Sequence, residues 1–287
     1  MASFGPLVTT GWLAERINGD TLKIVDGSWR MPGSPPASID FEKRHISGAI
    51  FFDLDEISDH QTELPHMMPG SEQFERQVGT LGISEKDTLV IYDDQGCFSA
   101  ARIWWTFRAM GHENVAVLDG GLPKWMAEDR PVVSQSTSPP PARYAANFNP
   151  DIIANHAFLR SHLNLSDANI LDARSAPRFD GTAPEPREGL RSGHMPGAKN
   201  LPFQLLLNDD HTFIAPEKIA ERLIKLGIEK DQAMITTCGS GVTAAILSLA
   251  LELIGHNNHK LYDGAWAEWG DRRHNEREFP VVVGSAK

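Results

Sequence analysis

The stretch MGHENVAVLDGGLPKW at residues 110–125 recurs without a gap as IGHNNHKLYDGAWAEW at residues 254–269. Other pairs keep nearly the same spacing: LKIVDGSW from Leu22 matches ANILDARS from Ala168, HISGAIFFDL from His45 matches HMPGAKNLPF from His194, and LGI at Leu81 returns at Leu226. A steady period near 145 residues in a chain of 287 indicates an internal duplication. The sequence therefore predicts two homologous domains in tandem.

A segment rich in proline and serine separates the two copies. It reads SQSTSPPPARYAANFNP at residues 134–150, a composition typical of an extended linker. We therefore expect an N-terminal domain at residues 1–134, a linker at 135–150 and a C-terminal domain at 151–287.

Within each half, short apolar runs alternate with segments of helical periodicity. TLVIYD and AMITTC are short, uninterrupted and partly β-branched, as buried strands are. The segment APEKIAERLIKLGI has Pro216 near its start and Gly227 past its end, which predicts a helix. The expected fold class is α/β, with a mostly parallel central sheet flanked by helices in each domain. Ligands of such sheets bind beyond the carboxyl ends of the strands.

The composition argues against several classes of protein. A formal net charge of −11 disfavours a general nucleic-acid binder and an anionic membrane surface. The two cysteines, Cys97 and Cys238, are too few for a disulfide framework, and the first residues do not resemble a secretory signal. We therefore expect a cytoplasmic protein. No residue spacing suggests a metal site, and no cofactor is expected.

One of the cysteines begins a glycine-rich turn. In TTCGSGVTAA, at residues 236–245, Cys238 stands between a predicted strand and a predicted helix. Such a turn can direct successive N–H groups at the sulfur, and with the positive end of the helix it favours a thiolate or a persulfide anion. A buried structural cysteine is the alternative. The predicted cradle consists of Cys238, Gly239, Ser240, Gly241, Val242 and Thr243.

Comparison of the two copies shows that they differ at the position of the predicted nucleophile. At an offset of 144 residues Cys238 aligns with Asp94, so the first domain has no thiol at the key position. We therefore expect one catalytic domain and one non-catalytic partner. Cys97 falls three residues beyond Asp94 and is interpreted as structural.

These motifs resemble the two-domain rhodanese sulfurtransferases along essentially the whole chain. The loop CGSGVT from Cys238 is similar to that of the 3-mercaptopyruvate sulfurtransferase branch, whereas thiosulfate-using members carry basic residues in the loop. The segments HISGA from His45 and HMPGA from His194, and YDGAWAEW from Tyr262, also fit the family.

Arginines in the second domain suit a 2-oxo acid, because the planar guanidinium fork matches a carboxylate. They lie in ARSAPRFDGTAPEPREGLRSG, between Asp172 and His194. The resemblance implies that Arg178 and Arg187 bind the substrate, whereas Arg174 directly follows a strand and is interpreted as structural. It also implies that Asp55 and His66 act with Ser240 in a proton relay.

The resemblance implies transfer of sulfur from 3-mercaptopyruvate through a Cys238 persulfide to cyanide, a small thiol or thioredoxin. A thiosulfate sulfurtransferase is the nearest alternative. A cysteine phosphatase would require arginine six residues after the nucleophile, where the chain has Ala244. A non-enzymatic binding module fits the first domain alone.

Overall fold

The computed structural model describes residues 4–19, 21–134, 138–162, 168–229 and 232–284. The chain forms two compact units. The first comprises Met1–His60, Met68–Asn149 and Leu207–Phe213, and the second comprises Gln61–Met67, Pro150–Leu206 and Ile214–Lys287. Of the predicted linker, residues 138–149 therefore belong to the first unit, and residues 135–137 lie outside the described residues.

The first unit is built on a five-stranded parallel sheet with the order β1-β6-β5-β2-β4. Two further strands, β3 and β7, form a small antiparallel pair. The strands are β1 (Leu7–Val8), β2 (Leu22–Asp26), β3 (His45–Ile46), β4 (Ala49–Phe51), β5 (Thr88–Tyr92), β6 (Val115–Leu118) and β7 (Val132–Val133). The helices are α1 (Thr10–Ala14), α2 (Ser38–Lys43), α3 (Ser71–Thr80), α4 (Ala100–Ala109) and α5 (Gly121–Ala127).

The second unit has its own five-stranded parallel sheet, in the order β10-β9-β11-β12-β8. Its strands are β8 (Ile153–Ala154), β9 (Ala168–Asp172), β10 (Lys199–Asn200), β11 (Ala233–Thr237) and β12 (His259–Tyr262). Its helices are α6 (His156–His162), α7 (Ala176–Phe179), α8 (Pro216–Lys225), α9 (Ala244–Leu253) and α10 (Ala265–Trp269), with 3₁₀ turns at Pro150–Ile152 and Phe203–Leu206.

The two sheets have the same strand order when they are compared strand by strand. In the first, β5 pairs with β2 and places Tyr92 opposite Asp26. In the second, β11 pairs with β9 and places Thr237 opposite Asp172. The predicted duplication and the predicted α/β class are both confirmed.

The helices follow the sequence signals. Helix α8 starts at Pro216 and buries Ile219 and Leu223, which lie one turn apart on its inner face. Gly227 follows its end with a φ of +67°, a conformation that side chains disfavour. Helix α9 is buried along most of its length, which matches its nearly continuous apolar sequence. In the described part of the chain, no helix is long and apolar enough to span a lipid bilayer.

Candidate active site

Cys238 begins the loop that joins strand β11 to helix α9. Strand β11 lies in the middle of the sheet, so its carboxyl end is where an α/β fold binds ligands. Helix α10 holds the loop in place, because the N–H groups of Trp266 and Ala267 donate to the carbonyls of Cys238 and Gly239, each at 2.9 Å. Gly241 has a φ of +77°, so the loop turns through a conformation that favours glycine.

The N–H groups of this loop are available to a ligand. Within the described residues, no carbonyl or carboxylate accepts a hydrogen bond from the N–H groups of residues 239–243. The Cys238 side chain is buried and lies near the N-terminal end of helix α9. A negative charge on its sulfur would be stabilised by such donors and by the helix end.

In the corresponding loop of the first unit, main-chain N–H groups bind an anionic side chain. There the buried Asp93 carboxylate accepts hydrogen bonds from the N–H groups of Phe98, Ser99 and Ala100 at 2.7 to 2.9 Å on Oδ2. The N–H of Gln95 donates to Oδ1 at 2.9 Å. Burial raises the pKa of this carboxyl, and the four donors oppose that rise by stabilising the charged form.

The strand register corrects the predicted alignment of the two loops. Because Tyr92 and Thr237 hold equivalent places in their sheets, the residue that corresponds to Cys238 is Asp93 and not Asp94. The constant offset failed here because the loop of residues 93–99 is one residue longer than the loop of residues 238–243. The conclusion that the first domain carries an aspartate in place of the thiol is unchanged.

Asp94 and Cys97 have structural surroundings. The Asp94 carboxylate pairs with the guanidinium of Arg30, which donates to its Oδ1 at 2.9 Å. Cys97 is fully buried, and burial together with the nearby carboxylates of Asp93 and Asp119 raises the pKa of its thiol well above the usual range. Such a thiol is a poor nucleophile, which agrees with the structural role expected for Cys97.

His66 lies beside Ser240, a residue of the loop that Cys238 begins. Its Nδ1 is 3.2 Å from Ser240 Oγ and 3.3 Å from the Ser240 carbonyl oxygen. The segment Gln61–Met67 belongs to the second unit, so this pairing lies within one compact body. His66 is buried and has a φ of +60°, which is uncommon for a residue other than glycine. Such backbone conformations are concentrated at functional sites.

Asp55, the third predicted member of the relay, lies in the first unit. Its carboxylate accepts the indole N–H of Trp29 at 3.0 and 3.1 Å. Its own N–H donates to the carboxylate of Asp53 at 3.0 Å. The carboxylate is exposed and held in orientation, and its part in a relay stays a prediction.

Arg178 reaches the loop of residues 238–243 from helix α7. A Cβ built on Gly239 would lie 2.9 Å from Arg178 Nη2, so a side chain at residue 239 would displace the guanidinium from its present position. The absence of a side chain at residue 239 therefore makes room for the guanidinium. Arg178 also donates to Glu185, with Nη2 at 2.5 Å from Oε2, and its side chain is one quarter exposed.

Glu185 is a candidate site residue that the sequence analysis missed. Its carboxylate is buried and lies between two guanidinium groups, since Arg174 Nη1 also donates to Oε1 at 2.8 Å. Arg174 is itself buried, pairs with Asp172 and stacks over Trp266 at 4.1 Å. A fixed guanidinium therefore fixes Glu185, which in turn holds Arg178. The signal was an acid between two prolines in PEPR, two residues before Arg187.

The other two arginines of this segment differ in their surroundings. Arg191 donates to the main-chain carbonyls of Trp269 at 2.7 Å and Gly270 at 3.3 Å, which gives it a structural role. Arg187 is half-buried in the loop that carries Glu185, and its contact with a substrate stays a prediction. The structure thus brings Cys238, Ser240, His66 and Arg178 together around one loop.

Comparison with known proteins agrees with this geometry. The model of the rhodanese-like domain matches residues 9–128 and 156–272. The chain is 40% identical over 286 residues to thiosulfate/3-mercaptopyruvate sulfurtransferase 1, mitochondrial, from Arabidopsis thaliana, covering 92% of this chain and 76% of that protein. It is 40% identical over 273 residues to 3-mercaptopyruvate sulfurtransferase from Mus musculus, covering 93% and 92%.

A solved structure supports the same assignment. The crystal structure of SseA from Escherichia coli, described as a 3-mercaptopyruvate sulfotransferase with the rhodanese fold, superposes with a TM-score of 0.84 at 35% identity. The match covers 92% of this chain and 99% of SseA. Both halves of the sequence and the duplicated sheet are accounted for. The chain belongs to the rhodanese family, in its two-domain form.

Proposed function

We propose that the chain is a 3-mercaptopyruvate sulfurtransferase that carries the transferred sulfur on Cys238. The observation that supports this most strongly is the position of Cys238. It occupies the point where the corresponding loop of the first unit gathers four N–H groups around the Asp93 carboxylate. A thiolate and a persulfide are anions, so a loop of this shape suits both.

The reaction has two displacement steps. The Cys238 thiolate attacks the sulfur of 3-mercaptopyruvate, forming an S–S bond while the C–S bond breaks. The electron pair of the C–S bond becomes the enolate of pyruvate, which takes up a proton and leaves as pyruvate. A thiophilic acceptor then attacks the outer sulfur of the persulfide and regenerates the Cys238 thiolate.

The loop residues supply the electrostatics of both steps. Gly239 and Gly241 allow the close approach and the turn, and the main chain of Ser240, Val242 and Thr243 adds N–H donors. These groups are fixed before the reaction, so they stabilise negative charge on sulfur without reorganisation.

The substrate carboxylate is assigned to the arginines. Arg178 lies against the loop with one quarter of its side chain open to solvent, and Glu185 fixes its orientation. We assign the carboxylate of the oxo acid to Arg178 and the ketone oxygen, together with the second carboxylate oxygen, to Arg187. The positive charges of the two guanidinium groups stabilise the negative charge of the departing enolate.

We assign proton transfer to His66, Ser240 and Asp55. The pairing of His66 Nδ1 with Ser240 Oγ provides a path between the imidazole and the edge of the catalytic loop. Asp55 belongs to the proposal as the acidic member of this relay. The proton that moves is the one lost by the substrate thiol and needed by the enolate.

Replacing His66 with asparagine should lower kcat on 3-mercaptopyruvate by roughly 10²- to 10⁴-fold, the usual contribution of general acid–base catalysis. Asparagine is chosen because it tolerates the left-handed backbone at this position. The KM should change little, since His66 is not assigned to substrate binding. The exposed His60 provides the control, and His60→Asn should keep full turnover. Undiminished kcat in His66→Asn would remove His66 from the mechanism.

Thiosulfate is the alternative sulfur donor, and the Arabidopsis thaliana relative carries both substrates in its name. The loop argues against it, because residues 239 and 240 are Gly and Ser and offer no cation to a dianion. We expect kcat/KM for 3-mercaptopyruvate to exceed that for thiosulfate by at least about 10²-fold, the equivalent of one missing charged contact. Steady-state assays of both donors with cyanide as acceptor would measure this, and a preference for thiosulfate would overturn the donor assignment.

Three further assignments belong to the proposal. The sulfur acceptor is cyanide, a small thiol or thioredoxin, all of which are thiophilic. Residues 151–287 form the catalytic domain, and residues 1–134 form a domain that is non-catalytic in that its own cradle holds Asp93 and no nucleophile, although it contributes His66 and Asp55. The protein works in the cytoplasm, where its two free cysteines stay reduced.

A further inference from the structure

A second feature of the catalytic unit lies away from Cys238. An apolar groove runs between the C-terminal ends of helices α8 and α9, whereas the catalytic loop is at the N-terminal end of α9. The groove has a volume of about 320 Å³, and Ile224 on its edge is 69% exposed. We call it the α8–α9 groove. It is lined by Ala220, Leu223, Ile224, Ile228, Glu229, Ile254, Gly255 and His256.

The duplication shows what covers the corresponding groove in the first unit. There helices α3 and α4 take the places of α8 and α9, and residues 139–149 of the predicted linker lie across their ends. We call these residues the cover segment. Its N–H groups donate to the helix-end carbonyls: Ala142 to Gly79 at 2.8 Å, Asn147 to Met110 at 2.9 Å and Asn149 to Ala109 at 2.7 Å.

Tyr144 anchors the cover segment. Only 4% of it is exposed, and its ring packs edge-on against Phe74 at 5.4 Å. Its hydroxyl lies 3.1 Å from Nδ1 of His112, and Nε2 of the same ring lies 2.9 Å from the Asp87 carbonyl oxygen. Since a carbonyl can only accept, Nε2 carries the proton and Nδ1 accepts the hydrogen bond from Tyr144. Burial lowers the pKa of His112, which keeps the ring neutral.

The α8–α9 groove repeats this arrangement without the tyrosine. His256 corresponds to His112, and its Nε2 lies 2.7 Å from the carbonyl oxygen of Gln232, the counterpart of Asp87. In the neutral imidazole, Nδ1 is therefore the acceptor here as well. Among the described residues it has no hydrogen-bond donor, although His256 is 96% buried and lines the groove. His256 Nδ1 can therefore accept a hydrogen bond from a hydroxyl group placed in the groove.

The charged residues around the groove indicate which kind of segment can bind there. Glu229 is the charged side chain that lines it, and both helices present their C-terminal carbonyls to the same end. In the first unit the carboxylates of Glu75 and Glu85 accept N–H groups of the cover segment, which also carries Arg143 next to Tyr144. Arg222 and Lys225 lie in the last turn of α8, but Glu229 is the charged side chain that lines the groove itself, and it favours a segment with a basic residue.

We propose that the α8–α9 groove binds an extended segment of a partner protein in which prolines and a basic residue precede a tyrosine, whose hydroxyl donates to His256 Nδ1. A second copy of this chain does not fit, because its own Tyr144 is already buried. We expect the main chain of the occupant to lie farther from helix α8 than the cover segment lies from helix α3. At Gly79 a Cβ would lie 2.6 Å from the Ala142 carbonyl oxygen, and the corresponding residue here is Ile224. Ile224 contributes apolar contact in place of that close approach.

The test uses a fluorescent peptide with the sequence SPPPARYAANFN, that of residues 138–149, titrated with the full chain and followed by anisotropy. We expect saturable binding, weakened about fivefold when the peptide tyrosine is replaced by phenylalanine, because one hydrogen bond is lost. Ile224→Glu should weaken binding at least about tenfold, because the apolar contact is lost and the peptide would have to cover a carboxylate. Ile39→Glu, also at an exposed isoleucine, is the matched control and should bind as the unmodified chain does.

Turnover on 3-mercaptopyruvate should be unchanged in both variants, which shows that each is folded and separates this proposal from the catalytic one. No saturation up to about 1 mM peptide would overturn the proposal. Equal binding by Ile224→Glu, or by the phenylalanine peptide, would overturn it as well, since either result places the peptide elsewhere or removes the role of His256.

Discussion

Replacing Cys238 with serine is expected to lower turnover on 3-mercaptopyruvate by at least roughly 10³-fold, as loss of a covalent nucleophile does in other enzymes. The serine hydroxyl fits the loop, but it is a weak nucleophile and cannot form a persulfide. Substrate binding should persist, because Arg178 and Glu185 are untouched. Release of pyruvate, followed at saturating substrate, is the measurement.

Cys97→Ser is the matched control for this variant. Cys97 is buried in the equivalent loop of the first unit, and its thiol is kept protonated by burial and by neighbouring carboxylates. The Cys97→Ser variant should retain turnover close to that of the unmodified chain. Residual activity in Cys238→Ser that disappears when Cys97 is also replaced would mean that the sulfur has a second carrier.

Replacing Arg178 with methionine is expected to lower kcat/KM for 3-mercaptopyruvate by about 10²-fold, because a charge-assisted contact with the substrate carboxylate is lost. The change also leaves the Glu185 carboxylate with Arg174 as its cationic partner, and its negative charge then faces the anionic substrate. Both effects act mainly on KM. The exposed Arg16 is the control, and Arg16→Met should leave both constants unchanged.

The role of Glu185 can be separated from that of Arg178 by a double-mutant cycle. If Glu185 acts by holding Arg178, then Glu185→Gln should raise KM in the unmodified chain and have little further effect in Arg178→Met. Additive effects of the two changes would show that Glu185 acts independently. Unchanged kinetics in Arg178→Met would remove this arginine from the site.

The duplicated sheet and the position of the nucleophile could be predicted from the sequence. The repeat fixes the number of domains, and each buried strand is a short apolar run with its loop after it, as in β5 and β11. Cys238 could be placed because strand, turn and helix are contiguous in sequence. Such local relations do not depend on how distant elements pack.

Other features depended on packing that the sequence does not reveal. The alignment of Cys238 with Asp94 failed because it applied the offset of the residues after the loop to the start of the loop. The strand before the loop keeps the longer offset of the LGI pair, and its register assigns Asp93. Glu185 was missed because its importance comes from two guanidinium groups that the fold brings to it. Residues 138–149 have the composition of a linker, yet Tyr144 is buried against Phe74 and His112.

The shape of the catalytic loop links these observations to the chemistry. In the first unit the loop surrounds a carboxylate that is part of the chain, so its anion site is permanently filled. In the second unit the same place is held by the thiol of Cys238. In the proposed reaction it ionises to a thiolate, gains one sulfur atom to become a persulfide, and returns to a thiolate. The proposed division between a catalytic and a non-catalytic domain rests on this single difference.

The most direct test locates the transferred sulfur. The chain is exposed to 3-mercaptopyruvate without an acceptor, its intact mass is recorded, and peptides are then mapped by tandem mass spectrometry after alkylation. The account predicts the mass of one added sulfur atom, found on the peptide that contains Cys238, and no addition in Cys238→Ser. An added sulfur on Cys97, or an equal addition in Cys238→Ser, would contradict it.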